Sequence, residues 1–293
     1  MSEKNVAWMG LGLIGLPMAA RLAAAGWTVR GFDVNPARAE LARARGIAPA
    51  ADAAEALAGA GLVFSSLPSE AALLGLAAPL ARLRAGTVLV ETSTVGPRAS
   101  AQLAAALRPG GVEYLRAPVS GSTALAEAGT LTTFVSGPRG AFERAQAAMR
   151  AYSRAQLWLG EGEEARYAKL AVNLMVAVSA GMVAEGLALG RKGGLDWNAL
   201  LDLVAESAVA SPLLKYKLEP LRRRDFTPAF TSAMMVKDME LVVGAAEEAG
   251  VPAPLARQLL ETYRAMAREP YAGEDFFSIV KRVERAAGLD QPR

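Results

Sequence analysis

Val6-Ala7-Trp8-Met9-Gly10-Leu11-Gly12-Leu13-Ile14-Gly15-Leu16-Pro17-Met18-Ala19-Ala20-Arg21-Leu22 is the stretch that decides the fold. An apolar run, a glycine cluster and a segment of helical period predict a strand, a tight turn and a helix, the opening of a dinucleotide-binding βαβ unit. Each glycine has its own task. Gly10 turns the chain sharply off the strand, Gly12 removes a Cβ that would obstruct a pyrophosphate, and Gly15 lets the helix approach the strand. The helix start then offers N–H groups and a positive dipole end to phosphates, so Gly10-Leu11-Gly12-Leu13-Ile14-Gly15 is the expected cradle.

Working outward, Trp27-Thr28-Val29-Arg30-Gly31-Phe32-Asp33 predicts a second strand ending in an acid 21 residues beyond Gly12. That is close to the spacing of a carboxylate that hydrogen-bonds the adenine ribose hydroxyls. Such a carboxylate repels a 2′-phosphate, so Asp33 favours NAD over NADP, with Arg38 as the nearby group able to swing toward a 2′-phosphate. The plainer reading, Asp33 as a cap of the next helix, competes with Asn35, which precedes Pro36 and is the better cap.

A length of 293 residues predicts about two domains. With 52% hydrophobic and 21% charged residues, the chain has the composition of a soluble globular protein. Arg222-Arg223-Arg224 is the one basic triplet, which suits a solvated helix end better than a nucleic-acid surface, so no nucleic-acid partner is expected. Met1-Ser2-Glu3-Lys4 leads straight into the first strand without a leader pattern, which points to the cytoplasm. The longest charge-free apolar stretch, Leu170 to Ala184, has 15 residues and contains Asn173 and Ser179, so no membrane span is expected. The sequence has no cysteine, which excludes disulfides, thiolate nucleophiles and cysteine-bound metal. It has no histidine either, which excludes a histidine base or metal ligand; no metal is expected. None of the tyrosines has a lysine four residues on. A proton moved during hydride transfer must therefore pass through Lys, Asp, Glu, Tyr or water.

Up to about residue 160, strand-like runs at 61–68, 87–92, 112–118, 130–136 and 156–160 alternate with helical stretches at 70–84, 97–107 and 141–152. Alternation of this kind predicts parallel pairing and an α/β, doubly wound Rossmann domain over 1–161. Ligands then sit beyond the carboxyl ends of the strands, where Leu67-Pro68, Thr92-Ser93-Thr94 and Pro118-Val119-Ser120-Gly121 are expected as loops. After Gly162 the pattern is helical only: 163–192, 196–206, 212–223, 231–249, 252–268 and 275–287. An all-α domain over 162–293 follows, joined to the first by the long helix.

Three stretches carry candidate chemistry. Lys169 and Glu185 are the only Asp, Glu, Lys or Arg residues between Tyr167 and Gly190, and Asn173 lies one turn beyond Lys169 on the same face. A lysine oriented by an amide at a crevice between domains suits a general acid/base; a lysine snorkelling from a helix end is the plainer alternative. Ala117-Pro118-Val119-Ser120-Gly121-Ser122 ends a strand in small hydrogen-bonding residues suited to a carboxylate, or is an ordinary turn. Lys237, in Met234-Met235-Val236-Lys237-Asp238-Met239, is placed to reach an anionic ligand or to form an exposed pair with Asp238.

Six segments in order resemble the β-hydroxyacid dehydrogenase family, which includes 3-hydroxyisobutyrate dehydrogenases and tartronate semialdehyde reductases. They are WMGLGLIGLPMAARL at 8–22, SSLP at 65–68, ETSTVGP at 91–97, RAPVSGS with AEAGTLTTFVSG at 116–137, AKLAVNLMVA at 168–177 and MMVKDMEL at 234–241. The resemblance implies reversible hydride transfer between a nicotinamide cofactor and a small β-hydroxy acid or its semialdehyde. It makes Lys169 the acid/base and Asn173 its orienting partner, with Ser120 and Gly121 on the substrate carboxylate. Leu67, Pro68 and Thr94 become cofactor-lining, Lys237 closes over the cofactor from the helical domain, and Phe230 lines the pocket. A homodimer or homotetramer through the helical domain is implied as well. Family members commonly read Asp-Ala-Pro-Val-Ser-Gly-Gly where this chain has Arg116 and Ser122, so Ser122 falls at a substrate-contact position and Arg116 either adds charge near the crevice or faces solvent. Imine reductases share the scaffold but usually carry Asp or Tyr at the Lys169 position; a non-catalytic dinucleotide-binding scaffold is the other alternative.

Overall fold

The computed structural model describes residues 4–289. Met1, Ser2 and Glu3, on which the expectation of a leaderless start rests, lie outside the described residues, as do residues 290–293. The chain divides into two compact units, Met1–Lys169 and Leu170–Arg293.

Among the described residues of the first unit, nine strands form one sheet. They are β1 (Asn5–Met9), β2 (Thr28–Phe32), β3 (Ala48–Pro49), β4 (Leu62–Ser65), β5 (Val88–Glu91), β6 (Glu113–Arg116), β7 (Val119–Ser120), β8 (Leu131–Ser136) and β9 (Ser153–Gly160). The order is β3-β2-β1-β4-β5-β6-β8-β7, with β9 beside β8. The pairs from β3 to β6 are parallel, whereas β8 is antiparallel to β6 and β7. This corrects the expectation of parallel pairing throughout. Residues 121–130, between β7 and β8, are too few for a parallel crossover, which needs about a dozen.

The sheet's helices are α1 (Gly15–Ala24), α2 (Ala37–Arg43), α3 (Ala53–Leu57), α4 (Glu70–Gly75), α5 (Ala77–Ala81), α6 (Pro97–Leu107), α7 (Thr123–Ala128) and α8 (Arg139–Met149). The single helix expected over 70–84 is broken at Leu76, because Pro79 lacks an N–H and its ring crowds the carbonyl four residues back. Alternation along β1 feeds two cores: Val6 and Trp8 pack with Met18 and Leu22 on one face, Ala7 and Met9 with Leu80 and Leu103 on the other. Trp8 stacks on Phe64 at 5.0 Å.

The second unit is helical, as expected: α9 (Glu164–Lys192), which starts in the first unit, then α10 (Trp197–Glu206), α11 (Pro212–Arg222), α12 (Ser232–Glu248), α13 (Pro254–Met266) and α14 (Ile279–Ala286). A charge-free stretch understates α9. At 29 residues it is long and apolar enough to cross a membrane by length and composition alone. It instead buries Leu170, Ala177, Ala180, Val183 and Leu187 in a core shared with Met235, Met239 and Tyr263. The arginine triplet is dispersed by pairing, Arg222 with Asp202 and Arg224 with Glu284.

Candidate active site

The β1 and β4 strands lie side by side at the point where the strand order reverses, and the glycine turn follows β1. Gly10 has φ +90°, and a Cβ there would collide with the Ser66 carbonyl. A Cβ on Gly15 would strike the Gly10 carbonyl, whereas one on Gly12 would meet no atom within 4 Å. Two glycines thus serve the fold and the third keeps space open above the turn. No side chain caps α1, which leaves its N-terminal dipole facing that space.

Asp33 closes the turn from below. Its Oδ2 accepts the Leu11 N–H at 2.7 Å and its Oδ1 accepts the Asn35 N–H at 2.8 Å. Each oxygen keeps a further lone pair for a hydroxyl donor. Leu11 is buried and gives its N–H to Asp33, which ties the carboxylate to the turn. Asn35 Oδ1 accepts the Ala37 N–H, at the first residue of α2, at 3.1 Å, although the N-cap position itself is Pro36. Leu13 is exposed and Ile14 half-buried. Open space at Gly12, an uncapped helix start and a fixed carboxylate fit a dinucleotide's pyrophosphate and ribose.

At the carboxyl ends of β4 and β5, the Leu67 N–H donates to Ser93 Oγ at 2.7 Å, joining two of the expected cofactor-side loops. Thr92 Oγ1 donates to the Ser65 carbonyl at 2.7 Å. Pro68 is exposed and Thr94 half-buried.

Ser120 is not in a loop: it belongs to β7 and pairs with Thr132. The chain leaves that strand through Gly121, with φ +136°, where a Cβ would stand 2.7 Å from Leu131 Cδ2. Ser122 occupies the N-cap position of α7 without making a side-chain cap bond. Arg116 does not face solvent, which corrects that alternative. It is buried, lies over the Tyr114 ring at 4.5 Å, and donates to Glu163 Oε1 from Nε at 2.9 Å and Nη2 at 2.5 Å.

Beside that pair is a second one, with no precursor in the sequence reading. Arg166 is 0% exposed and ion-paired with Glu91, also 0% exposed, through Nη2 and Oε2. The rest of its guanidinium donates to the Ser93 carbonyl at 2.8 Å, Tyr114 Oη at 2.8 Å and Ser100 Oγ at 3.2 Å. Glu91 Oε1 accepts the Ser93 N–H at 2.9 Å. Burial opposes the charge on Arg166, but Tyr114 and Glu91 outweigh it and hold its pKa above the usual guanidinium value. Burial also raises the Tyr114 hydroxyl pKa, so that group stays protonated.

Lys169 is half-buried on α9, one turn past Arg166, and Asn173 one turn further on is buried. Asn173 Nδ2 donates to Asp238 Oδ2 at 2.7 Å, and Lys237 Nζ stands 3.1 Å from Asp238 Oδ1. The neighbouring pair anticipated for Lys237 is therefore present, but its acid is buried and shared with Asn173. In the sequence Asp238 was legible only as the neighbour of Lys237, not as the partner of Asn173. Phe230 meets Phe276 edge to face at 6.0 Å.

A glycine turn at the switch point of a doubly wound sheet, followed by an all-helical unit, defines a two-domain dinucleotide-binding protein. Residues 5–160 match the NAD-binding domain of 6-phosphogluconate dehydrogenase, and residues 163–283 match the NAD-binding domain of NADP-dependent 3-hydroxyisobutyrate dehydrogenase. The chain is 32% identical to the NAD-dependent L-serine dehydrogenase of Pseudomonas aeruginosa, over 97% of this chain and 99% of that protein. It is 31% identical to the 2-(hydroxymethyl)glutarate dehydrogenase of Eubacterium barkeri, over 97% and 96%. The structure of Mycobacterium tuberculosis 3-hydroxyisobutyrate dehydrogenase with L-serine superposes with a TM-score of 0.88 at 30% identity, covering 95% of this chain and 98% of that one. The chain belongs to the β-hydroxyacid dehydrogenase family. It is an NAD(P)-dependent oxidoreductase acting on CH–OH groups.

Proposed function

We propose that the substrate is a small 3-hydroxy carboxylate oxidised at its terminal hydroxyl carbon, or the matching semialdehyde reduced there, with Lys169 as general acid/base. The observation that carries this reading is the placement of a half-buried lysine one turn before a buried, oriented amide on a single helix. L-Serine, 3-hydroxyisobutyrate and 2-(hydroxymethyl)glutarate, named for the relatives above, share a hydroxymethyl group on a carbon that bears a carboxylate. They differ in the second substituent, which pocket shape would read.

A nicotinamide cofactor held by the turn after β1 would supply the hydride acceptor in oxidation and the donor in reduction. In oxidation, neutral Lys169 Nζ accepts the hydroxyl proton as the carbonyl forms; in reduction its ammonium returns that proton to the oxygen. Asn173, with Nδ2 committed to Asp238, offers Oδ1 as an acceptor that orients the hydroxyl. Ser120 Oγ and the Gly121 backbone hold the carboxylate, Ser122 adds a hydroxyl beside them, and Phe230 supplies an apolar wall. Gly10 to Gly15, Leu67, Pro68, Thr94 and Lys237 serve the cofactor. Asp33 favours NAD, because a 2′-phosphate would meet a carboxylate whose oxygens already face the turn.

Met175, Met182 and Leu189 are 65%, 44% and 76% exposed at seven-residue spacing on α9. That apolar stripe supports a homo-oligomer, dimer or tetramer, built through the helical domain of residues 162–293. The burial of the opposite face of α9 supports a cytoplasmic enzyme over a membrane-bound one.

Lys169→Ala tests the assignment. Turnover of L-serine or 3-hydroxyisobutyrate, followed by NADH absorbance, is expected to fall by about 10²-fold or more while NADH affinity stays near wild type. A variant that keeps most of its activity would overturn it. Turnover of cyclic imines, with none of the hydroxy acids, would overturn the substrate reading.

A further inference from the structure

Glu91 and Arg116 are register partners at the carboxyl ends of β5 and β6. Glu163, which immediately precedes α9, and Arg166, in its first turn, carry the opposite charges in matching order. The four pair as two parallel bridges, Glu91 with Arg166 and Arg116 with Glu163. Tyr114 sits between them, its ring under Arg116 and its hydroxyl accepting from Arg166.

We infer that these two pairs form a positioning lock which fixes the rotation and depth of α9 at its start, and through them the place of Lys169. Arg116, Glu163, Glu91 and Arg166 are positioning residues for the reaction, an assignment that rests on Lys169 being the acid/base. One bridge alone leaves the helix free to turn about it; two bridges from adjacent strands, one just before the helix and one three residues on in its first turn, remove that freedom. Lys169 lies three residues past Arg166, so a rotation of the first turn moves its Nζ directly. A misplacement of about 1 Å at a reacting group costs on the order of 10²-fold in rate. The lock also reaches the cofactor side. Arg166 holds the Ser93 carbonyl at 2.8 Å, and Ser93 Oγ holds the Leu67 N–H at 2.7 Å, so one guanidinium registers the acid/base helix against the loop after β4. The arginine at position 116 has Glu163 as its complement, and the two are read together.

The test exchanges the charges of the less buried bridge. In the full-length protein, Arg116→Glu and Glu163→Arg are each expected to lower kcat for L-serine or 3-hydroxyisobutyrate by about tenfold or more. NADH affinity, read by fluorescence titration, is expected to stay within about threefold, a split between turnover and binding that general destabilisation would not produce. The double exchange R116E/E163R is expected to restore kcat to within about threefold of wild type. Single variants with wild-type kcat overturn the lock, and so does a double variant that binds NADH normally without recovering turnover. Where the exchanges do not fold, Glu163→Gln replaces them: a kcat lowered about threefold with unchanged NADH affinity supports the lock, and wild-type kcat overturns it. Lys169→Ala run alongside separates the two claims. Retained activity in that variant removes the acid/base reading, whereas its loss combined with fully active bridge variants removes only the lock.

Discussion

The turn after β1 and the first turn of α9 both belong to the first compact unit, and they are built on opposite principles. The turn depends on side chains that are missing: Gly10 and Gly15 fit because any Cβ would strike a backbone carbonyl. The start of α9 depends on side chains that reach out, with charges drawn from β5 and β6 and buried among Tyr114, Ser93 and Ser100. Shape made from backbone is cheap to specify and tolerant of its surroundings. Shape made from buried charge is strong only while every partner is present.

Four single variants, the first extended to a double, test that contrast in decreasing order of effect. Arg166→Met leaves the Glu91 carboxylate buried without a counter-charge and is expected to lose about 3–5 kcal/mol in urea unfolding. Adding Glu91→Leu is expected to recover most of that loss; if the single and double variants are equally stable, the bridge is not what holds the helix start. Gly10→Ala forces a residue with a Cβ into φ +90° against Ser66 and is expected to cost about 3 kcal/mol in the same assay. Gly12→Ala meets no protein atom, so stability should stay within about 0.5 kcal/mol while NADH binds about tenfold more weakly. Equal binding by wild type and Gly12→Ala would show that the space above the turn is not where the pyrophosphate lies. Finally, Arg257→Ala breaks a bridge to Glu247 of the same chemistry but with both side chains more than half exposed, and a change of at most about 0.5 kcal/mol is expected. A larger loss there would mean that burial is not what separates the two kinds of bridge.

How much of this was legible in the sequence follows the same division. The β1–turn–α1 unit, Asp33 and the start of α6 at Pro97 could be read because their causes lie within a few residues: a glycine at a positive φ, an acid at the strand end, a proline at the first helical position. The parts that escaped have distant causes. Arg166 sits beside a run of acids and looks solvated in one dimension, yet its partner Glu91 is 75 residues away. Arg116 looked like a surface or crevice charge until Glu163, 47 residues on, folded against it. The β7 strand is two residues long, too short for any periodicity to register. In the site, Lys169 and Asn173 could be paired by helical spacing, whereas the acid that orients Asn173 lies 65 residues further along, on α12. Local conformation and helical faces are written in neighbouring residues; buried charge pairing is decided only when the topology brings its members together.

The two hydrogen bonds of Asp33 carry a consequence for how this enzyme can change. The carboxylate that would select between cofactors also serves as the acceptor for the Leu11 and Asn35 amides. On the proposed reading of Asp33, selectivity and scaffold share one residue. A lineage or an engineer replacing Asp33 to admit a phosphorylated ribose would also leave two backbone donors to be satisfied anew, so a clean switch requires a second change in the turn itself.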